Sequence, residues 1–306
     1  MFLAARGTSD HAGVYAQYLW GSLNRLPVAL AAPSLFTLYG GWPRLQKALV
    51  VGISQSGQSP DVVNVIEEGR RQGAVTLAIT NEVDSPLARK AEFTLDVRAG
   101  AEKAVAATKT YTAELLAIAT LSAALTENAD TLSALWRVPA AAQAALALDA
   151  EAEAIAGRHR DMTRCVVLGR GYNYASAQEW ALKLKELAYV FADPYSAADF
   201  QHGPIAIIER GFPVLAIAPR GAALADLLTL LRRLRDGQEA ELLVLSDSDE
   251  ALALGHSAMR LSAAVPEWLT PLVSIIPAQL YSYHLTRAKG YDPETPRGLR
   301  KVTLTR

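Results

Sequence analysis

An apolar, β-branched run from Leu49 to Ile53 breaks at once into Ser54-Gln55-Ser56-Gly57-Gln58-Ser59, and Pro60 then opens a helical pattern. Strand, tight polar turn and helix start in immediate succession are the parts of a βα unit, which limits the chain to an α/β organisation. Hydroxyls, a glycine and free backbone N–H groups meet there at the positive end of a helix dipole, which favours an anion and above all a phosphate. The plainer alternative is a turn built from its usual residues, with Ser59 as an N-cap. Three serines and two glutamines in six residues exceed what a turn needs, so residues 49–61 read as a phosphate cradle.

The rest of the first half repeats the alternation. Phe2–Ala5, Val28–Ala31, Ala48–Ile53, Val75–Thr80 and Phe93–Val97 read as strands. Helical spacing follows the first strand (Ala12, Tyr15, Tyr18, Leu19, Leu23) and runs from Pro60 to Gln72, with a short piece at Leu87–Lys90. Strands alternating with helices imply a parallel sheet covered on both faces, with ligands outside the carboxyl ends of its strands. Thr8-Ser9 and Ser54–Ser59 lie at that edge. Ala104–Leu125 and the alanine-rich Leu132–Ala156, interrupted at Pro139, read as helices joining two sheets.

After Arg158 the pattern restarts. Arg164–Leu168, Phe212–Ala218, Leu242–Ser246 and Met259–Leu261 read as strands, while Ala175–Phe191, Ala223–Arg235 and Ile275–Ala288 read as helices. Each half opens as strand, Arg-Gly turn, helix, at Arg6-Gly7 and again at Arg170-Gly171, a sign of duplication. The expected domains are 1–130 and 158–290, joined by a helical connection at 131–157 and followed by a tail at 291–306.

At 306 residues and 51% apolar composition, two sizeable cores can be buried. A formal net charge of −1 without a long basic block disfavours nucleic acid as a partner. No apolar stretch reaches membrane-spanning length and no signal-peptide pattern opens the chain, so the expectation is a cytoplasmic protein with no membrane partner. The single cysteine, Cys165, lies in a strand-like apolar run and reads as a buried hydrophobe. The five histidines show no paired ligand spacing, so no metal is expected. Gly169-Arg170-Gly171 lacks the third glycine of a dinucleotide fingerprint, no Walker A or Gly-x-Ser-x-Gly sequence occurs, and no cofactor is expected.

Three further segments carry chemistry-bearing residues. Ala177, Trp180, Ala181, Leu184, Leu187, Ala188 and Phe191 form an apolar stripe, and Lys183 and Glu186 lie off it as surface neighbours. By pattern alone, a solvated row of Glu179, Lys183 and Glu186 explains them better than a site does. His202-Gly203-Pro204 puts an imidazole in a stiff loop, suited either to proton transfer or to capping a turn. Glu102, ahead of Val105-Ala106-Ala107-Thr108-Lys109, can accept from a sugar hydroxyl or from the turn backbone. The tail 292–303 has too many breakers for a helix and too few apolar residues for a core strand, so a disordered tail is the default. Folded back over a site it would instead bring Lys301 there, an amine suited to a ketose Schiff base.

Gly7-Thr8-Ser9, Ser54-Gln55-Ser56-Gly57, Val105–Lys109, Ala181–Glu186, His202-Gly203-Pro204 and Pro296-Arg297 with Lys301 together resemble the sugar isomerase (SIS) family, in the order that family has them. The resemblance is to the isomerase half of glucosamine-6-phosphate synthase and to relatives without its glutaminase half. It implies two tandem SIS domains, each a parallel five-stranded sheet flanked by helices. It implies substrate contacts from Ser9, Ser54, Gln55, Ser56, Ser59, Glu102, Val105 and Ala107. It makes Glu186 the acid/base between C1 and C2, assisted by Lys183, and Lys301 the amine that engages the open-chain ketose. It also makes His202 the ring-opening residue, contributed by the neighbouring subunit of a homodimer with a shared site.

Ala107 stands where synthases usually have serine, and the sequence as given has neither an N-terminal nucleophilic cysteine nor room for a helix before the first strand. The expectation is therefore an amino-sugar-phosphate deaminase/isomerase, taking glucosamine 6-phosphate to fructose 6-phosphate and ammonia. Another phosphosugar aldose–ketose isomerase, an aminotransferase-like enzyme, or a non-catalytic phosphosugar sensor are the alternatives.

Overall fold

The computed structural model describes residues 1–301; positions 302–306, the end of the tail motif, lie outside the described residues. The chain divides into two compact units, Met1–Ala129 with Arg300 and Lys301, and Asp130–Leu299.

In the first unit the apolar runs form β1 (Phe2–Ala4), β2 (Ala29–Leu30), β3 (Leu49–Ser54), β4 (Val75–Thr80) and β5 (Phe93–Asp96), all parallel in the order β2-β1-β3-β4-β5. The helices are α1 (Thr8–Ser22), α2 (Ser34–Thr37), α3 (Pro60–Arg71), α4 (Pro86–Lys90) and α5 (Lys109–Thr126). Val50, Val51 and Ile53 of the central strand are fully buried, as a strand covered on both faces requires. On one face Val50 and Ala78 meet Val62, Val65, Ile66 and Leu87. The other carries α1 and α5, which pack together through buried positions that include Tyr15, Leu19, Tyr111 and Leu115.

The second unit opens with α6 (Ala129–Leu135), α7 (Val138–Leu146) and α8 (Asp149–Arg158). Pro139 falls in the first turn of α7, where its missing N–H costs nothing. Residues 131–157, expected as a connection, thus form three helices, of which α7 and α8 pack on α13 (Thr270–Ala288) within this unit. The sheet comprises β6 (Arg164–Gly169), β7 (Phe191–Ser196), β8 (Pro213–Ile217), β9 (Glu241–Ser246) and β10 (Ser257–Arg260), again all parallel, in the order β10-β9-β8-β6-β7. Between strands lie α9 (Tyr172–Leu187), α10 (Ala197–Phe200), α11 (Leu224–Arg232) and α12 (Asp249–Leu252). Cys165 is buried in β6, and burial pushes its thiol well above the usual range.

Numbered within its own unit, each sheet runs second, first, third, fourth, fifth. The duplication extends to backbone detail. Gly7 caps α1 at φ 55°, ψ −129°, and Gly171 caps α9 at φ 58°, ψ −132°. The arginine before each glycine reaches an aspartate in the first turn of the helix after the third strand: Arg6 to Asp61 at 2.5 Å and Arg170 to Asp226 at 3.0 Å. The chain is a pair of α/β units of one topology, as expected.

Two element boundaries differ from the sequence reading. The helix expected from Ala104 begins at Lys109, because residues 101–108 wrap around Glu102. Its Oε2 accepts from the N–H of Thr108 (3.2 Å) and Thr110 (3.2 Å) and from the Thr110 hydroxyl (3.0 Å). The helix expected to run through Phe191 ends at Leu187, and Phe191 instead starts β7. β7 contains Pro194, tolerated because this is an edge strand.

Candidate functional site

In the first unit the strand order reverses between β1 and β3, the place where open α/β sheets bind ligands. Ser54 ends β3, and its Oγ accepts from the Gly57 N–H (3.1 Å), while Ser56 Oγ accepts from the Gln58 N–H (3.3 Å). The serines therefore do shape the turn, as the plainer reading held. Each accepting hydroxyl nevertheless keeps its own O–H to donate to an anion. Ser59 is the N-cap of α3, but its side chain makes no capping bond.

Gly57 is irreplaceable on two counts. It sits at φ +59°, and a Cβ there would lie 2.1 Å from Ser85 Oγ. Leu87 N–H also donates to the Gly57 carbonyl (3.1 Å), fixing the loop against the start of α4.

A cleft of about 450 Å³ opens on this loop, lined by Gln55, Ser56, Gln58, Glu82, Asp84, Ser85, Glu102 and Lys301. The structure thus brings together four residues singled out from sequence (Gln55, Ser56, Glu102, Lys301). The Lys301 ammonium donates to the Ala104 carbonyl at 2.5 Å. Glu102 uses one carboxylate oxygen on the 108–110 backbone, the second of its two anticipated roles. Val105 and Ala107 lie in the irregular segment that Glu102 organises and are not among the lining residues. Ser9 is buried on α1 and donates to Glu114 Oε1 on α5 (2.9 Å), placing its hydroxyl in the helix–helix packing.

Arg6 was not anticipated as a site residue. It stands at the same sheet edge, half exposed, with its Nε on the fully buried carboxylate of Asp61. The repeated Arg-Gly turn was the signal that pointed to it. The pair neutralises a buried charge at the first turn of α3, where a carboxylate also suits the helix dipole.

In the second unit the chemistry lies on α9. Lys183 Nζ is 2.6 Å from Glu186 Oε2 and 3.3 Å from Glu179 Oε1. The Glu179 and Lys183 side chains are 0% and 1% exposed, whereas Glu186 keeps 23%. The solvated row favoured by pattern alone is therefore wrong. The reason is packing on both sides: α9 lies on β6 and β7 and is covered by α13, so a helix with one apolar stripe is buried round most of its circumference. Burial disfavours the Lys183 ammonium, but Glu179 and then Glu186 more than offset it, and its pKa is raised. Glu179 was overlooked as a site residue, although its i,i+4 spacing to Lys183 was visible. The triad presents one carboxylate outward, backed by an ammonium whose charge is fixed by a second, buried carboxylate.

His202 is exposed on the turn between α10 and the 3₁₀ segment Pro204–Ile207, with Gly203 at φ +128°. Its backbone N–H donates to the Asp199 carbonyl (3.0 Å), and none of its described contacts involves Lys183 or Glu186. Among the described residues no cluster of His, Cys, Asp or Glu could hold a metal ion, and no helix is long and apolar enough to cross a membrane.

The SIS domain family matches residues 1–124 and 160–288, one segment in each unit. Glutamine--fructose-6-phosphate aminotransferase [isomerizing] of Bordetella pertussis is 37% identical over 316 residues, covering 98% of this chain and 51% of that protein. The chain thus spans about half the length of the curated relatives it matches. Among solved structures, the C-terminal domain of glucosamine-fructose-6-phosphate aminotransferase from Francisella tularensis superposes with a TM-score of 0.87 at 28% identity, over 96% of this chain and 86% of that one. Glucosamine-6-phosphate deaminase from Thermotoga maritima has the same fold, with a TM-score of 0.78 at 20% identity over 99% and 90% of the two chains. Two matched segments, one on each copy of the same doubly wound sheet, settle the family: this chain belongs to the SIS domain family, with a domain in each unit.

Proposed function

We propose that the protein is a sugar-phosphate enzyme acting on hexosamine 6-phosphates, interconverting glucosamine 6-phosphate and fructose 6-phosphate with release or uptake of ammonia. The observation that carries the reading is the buried Glu179–Lys183–Glu186 triad, which a binding module has no need to maintain. A carboxylate held against a fixed ammonium and still reachable from solvent is suited to take a proton from carbon and return it. The relatives' names support the substrate class, and the serine loop supports a phosphate as its handle.

In this reading the Ser54–Ser59 loop takes the phosphate, so binding energy remote from the reacting carbons orients C1 and C2. His202, supplied by a second copy of the chain, opens the sugar ring. Glu186 removes the C2 proton of the open-chain amino-aldose and delivers it to C1, while the C2 ammonium gives one proton to O1, leaving a hydroxyl at C1 and an iminium at C2. The Lys301 amine adds to that carbon and displaces ammonia, and water then releases the ketose. The balance is glucosamine 6-phosphate plus water giving fructose 6-phosphate plus ammonia.

The direction is the open alternative, since the curated relatives are named as aminotransferases. The test follows ammonia and fructose 6-phosphate from glucosamine 6-phosphate, with the reverse reaction run from fructose 6-phosphate and ammonium. Production by wild type and not by Glu186→Gln supports the reading. Net synthesis only from fructose 6-phosphate assigns the reverse direction, and no conversion either way rejects the reading.

A further inference from the structure

The loop after the third strand of each unit is braced in the same way. In the first unit the Thr80 hydroxyl, at the end of β4, donates to the Gln55 carbonyl (3.4 Å) and accepts from Glu82 N–H (3.2 Å). In the second, the Ser246 hydroxyl, at the end of β9, donates to the Ala218 carbonyl (2.6 Å) and accepts from Ser248 N–H (2.9 Å). Residues 218–223, between β8 and α11, are thus the counterpart of the serine loop. Their chemistry differs. Ala218-Pro219-Arg220-Gly221-Ala222-Ala223 has no hydroxyl, and Pro219 has no N–H. Two of the N–H groups that remain go to carboxylates of the same unit: Arg220 N–H to Asp247 Oδ1 (2.6 Å) and Ala222 N–H to Glu267 Oε2 (2.9 Å).

Glu267 is seated on the glycine of this loop. Gly221 has φ +151°, and a Cβ there would lie 2.0 Å from Glu267 Cδ and 2.4 Å from its Oε1. The missing Cβ is what admits the carboxylate. Glu267 has a counterpart too. Like Glu102, it lies between the fifth strand of its unit and the long helix that follows. Glu102 precedes Thr110 by eight residues, and the chain between them wraps round its carboxylate at the start of α5. Glu267 precedes Thr270 by only three, and the Thr270 hydroxyl donates to its backbone carbonyl (2.7 Å). Its side chain reaches the loop instead of its own helix.

We propose that Glu267 is a built-in occupant of the second unit's anion cradle. Its carboxylate takes the loop N–H that a phosphate would otherwise use, so each chain binds one phosphosugar, at the serine loop of the first unit. The limit to one phosphosugar rests on the proposed role of that serine loop; the occupied cradle does not. Backbone N–H groups at the start of a helix favour an anion whether a ligand or the chain supplies it. A carboxylate tethered in the same unit competes as an intramolecular ligand, and the loop has no hydroxyls with which to favour a phosphate over it.

The test is hydrogen exchange read by mass spectrometry on the full-length protein, which follows the two loops separately in peptides covering 54–62 and 218–226. In wild type, fructose 6-phosphate slows exchange at 54–62 and leaves 218–226 unchanged. Glu267→Ala frees the Ala222 N–H, so 218–226 exchanges about three-fold faster or more. Inorganic phosphate at about 50 mM then slows it again by filling the emptied cradle, and chloride at equal ionic strength does not. Wild-type 218–226 responds to neither. A carboxylate that merely braced the loop would give the faster exchange without the recovery in phosphate, and that result overturns the proposal. Protection of 218–226 by fructose 6-phosphate in wild type, or an unchanged rate in Glu267→Ala, also overturns it. If fructose 6-phosphate does not slow 54–62 in wild type, the phosphate reading of the serine loop fails, and inorganic phosphate at 218–226 alone decides the occupied cradle. Glu267 is only half-buried, so Glu267→Ala is expected to fold. Should it not, Glu267→Gln takes its place, and exchange at 218–226 that phosphate does not slow in that variant overturns the proposal.

Discussion

Replacing Lys183 by methionine removes the ammonium from the α9 triad while keeping most of the side-chain volume. Glu179 is then a fully buried carboxylate facing a second carboxylate, with the cation between them gone. Breaking a buried ion pair from one side costs about 3–5 kcal/mol, because the remaining charge is uncompensated. For a unit of this size that corresponds to a fall in melting temperature of roughly 6–20 °C. A core truncation such as Leu184→Ala costs a similar amount, about 2–5 kcal/mol, so magnitude alone does not identify the cause. The pH dependence does. In Lys183→Met the buried carboxylate is relieved by taking up a proton, so the deficit relative to wild type is largest near pH 8 and shrinks toward pH 5.5. The Leu184→Ala deficit stays level.

The wild-type triad behaves differently. The Lys183 pKa is raised in the folded state, so its contribution to stability is fully present below the ordinary lysine value and is lost only as pH rises through the raised one. Between pH 5.5 and 8 the lysine itself adds no pH dependence. Thermal unfolding by circular dichroism across that range measures all three proteins. A Lys183→Met deficit under 1 kcal/mol, or one that does not change with pH, refutes the account of a buried, charge-coupled triad.

Gly57→Ala combines about 1–2 kcal/mol of left-handed backbone strain with a clash on Ser85, so calorimetry should show both a lower melting temperature and weakened glucosamine 6-phosphate binding. Ser54→Ala with Ser56→Ala removes two hydroxyl donors to a phosphate, worth about ten- to hundred-fold each in KM, and should leave glucosamine without its phosphate bound as weakly as before. Glu179→Gln keeps the outward carboxylate and neutralises the inner one, so kcat should fall while KM holds in steady-state assays. Mixing inactive His202→Ala and Glu186→Gln proteins should restore part of the activity if the two residues act across a subunit boundary; no recovery after subunit exchange removes the shared-site reading.

The sheet was legible because its strands are apolar runs bounded by turn residues, and Val50, Val51 and Ile53 could hardly sit elsewhere than in a doubly covered sheet. The duplication was visible in Arg6-Gly7 and Arg170-Gly171, but the Arg–Asp pairs behind it span 55 residues or more and leave no local trace. β7 of the second sheet escaped the pattern because Pro194 breaks its periodicity, and only an edge position excuses it. Glu179 escaped for a different reason. Burial of a polar helix face depends on what packs over it, and α13 arrives almost a hundred residues later in the chain. The serine loop was legible as a tight polar turn between strand and helix, whereas the role of Glu102 in holding the 108–110 backbone, and the place of Lys301 in the same cleft, depend on segments remote in sequence.

The central claim, that Glu186 moves the proton between C1 and C2, is tested most directly with glucosamine 6-phosphate deuterated at C2, followed by nuclear magnetic resonance. The account predicts that wild type clears the label from C2 as fructose 6-phosphate forms, and that Glu186→Gln leaves it in place while still binding the sugar phosphate. Label lost from C2 equally fast in Glu186→Gln would contradict it.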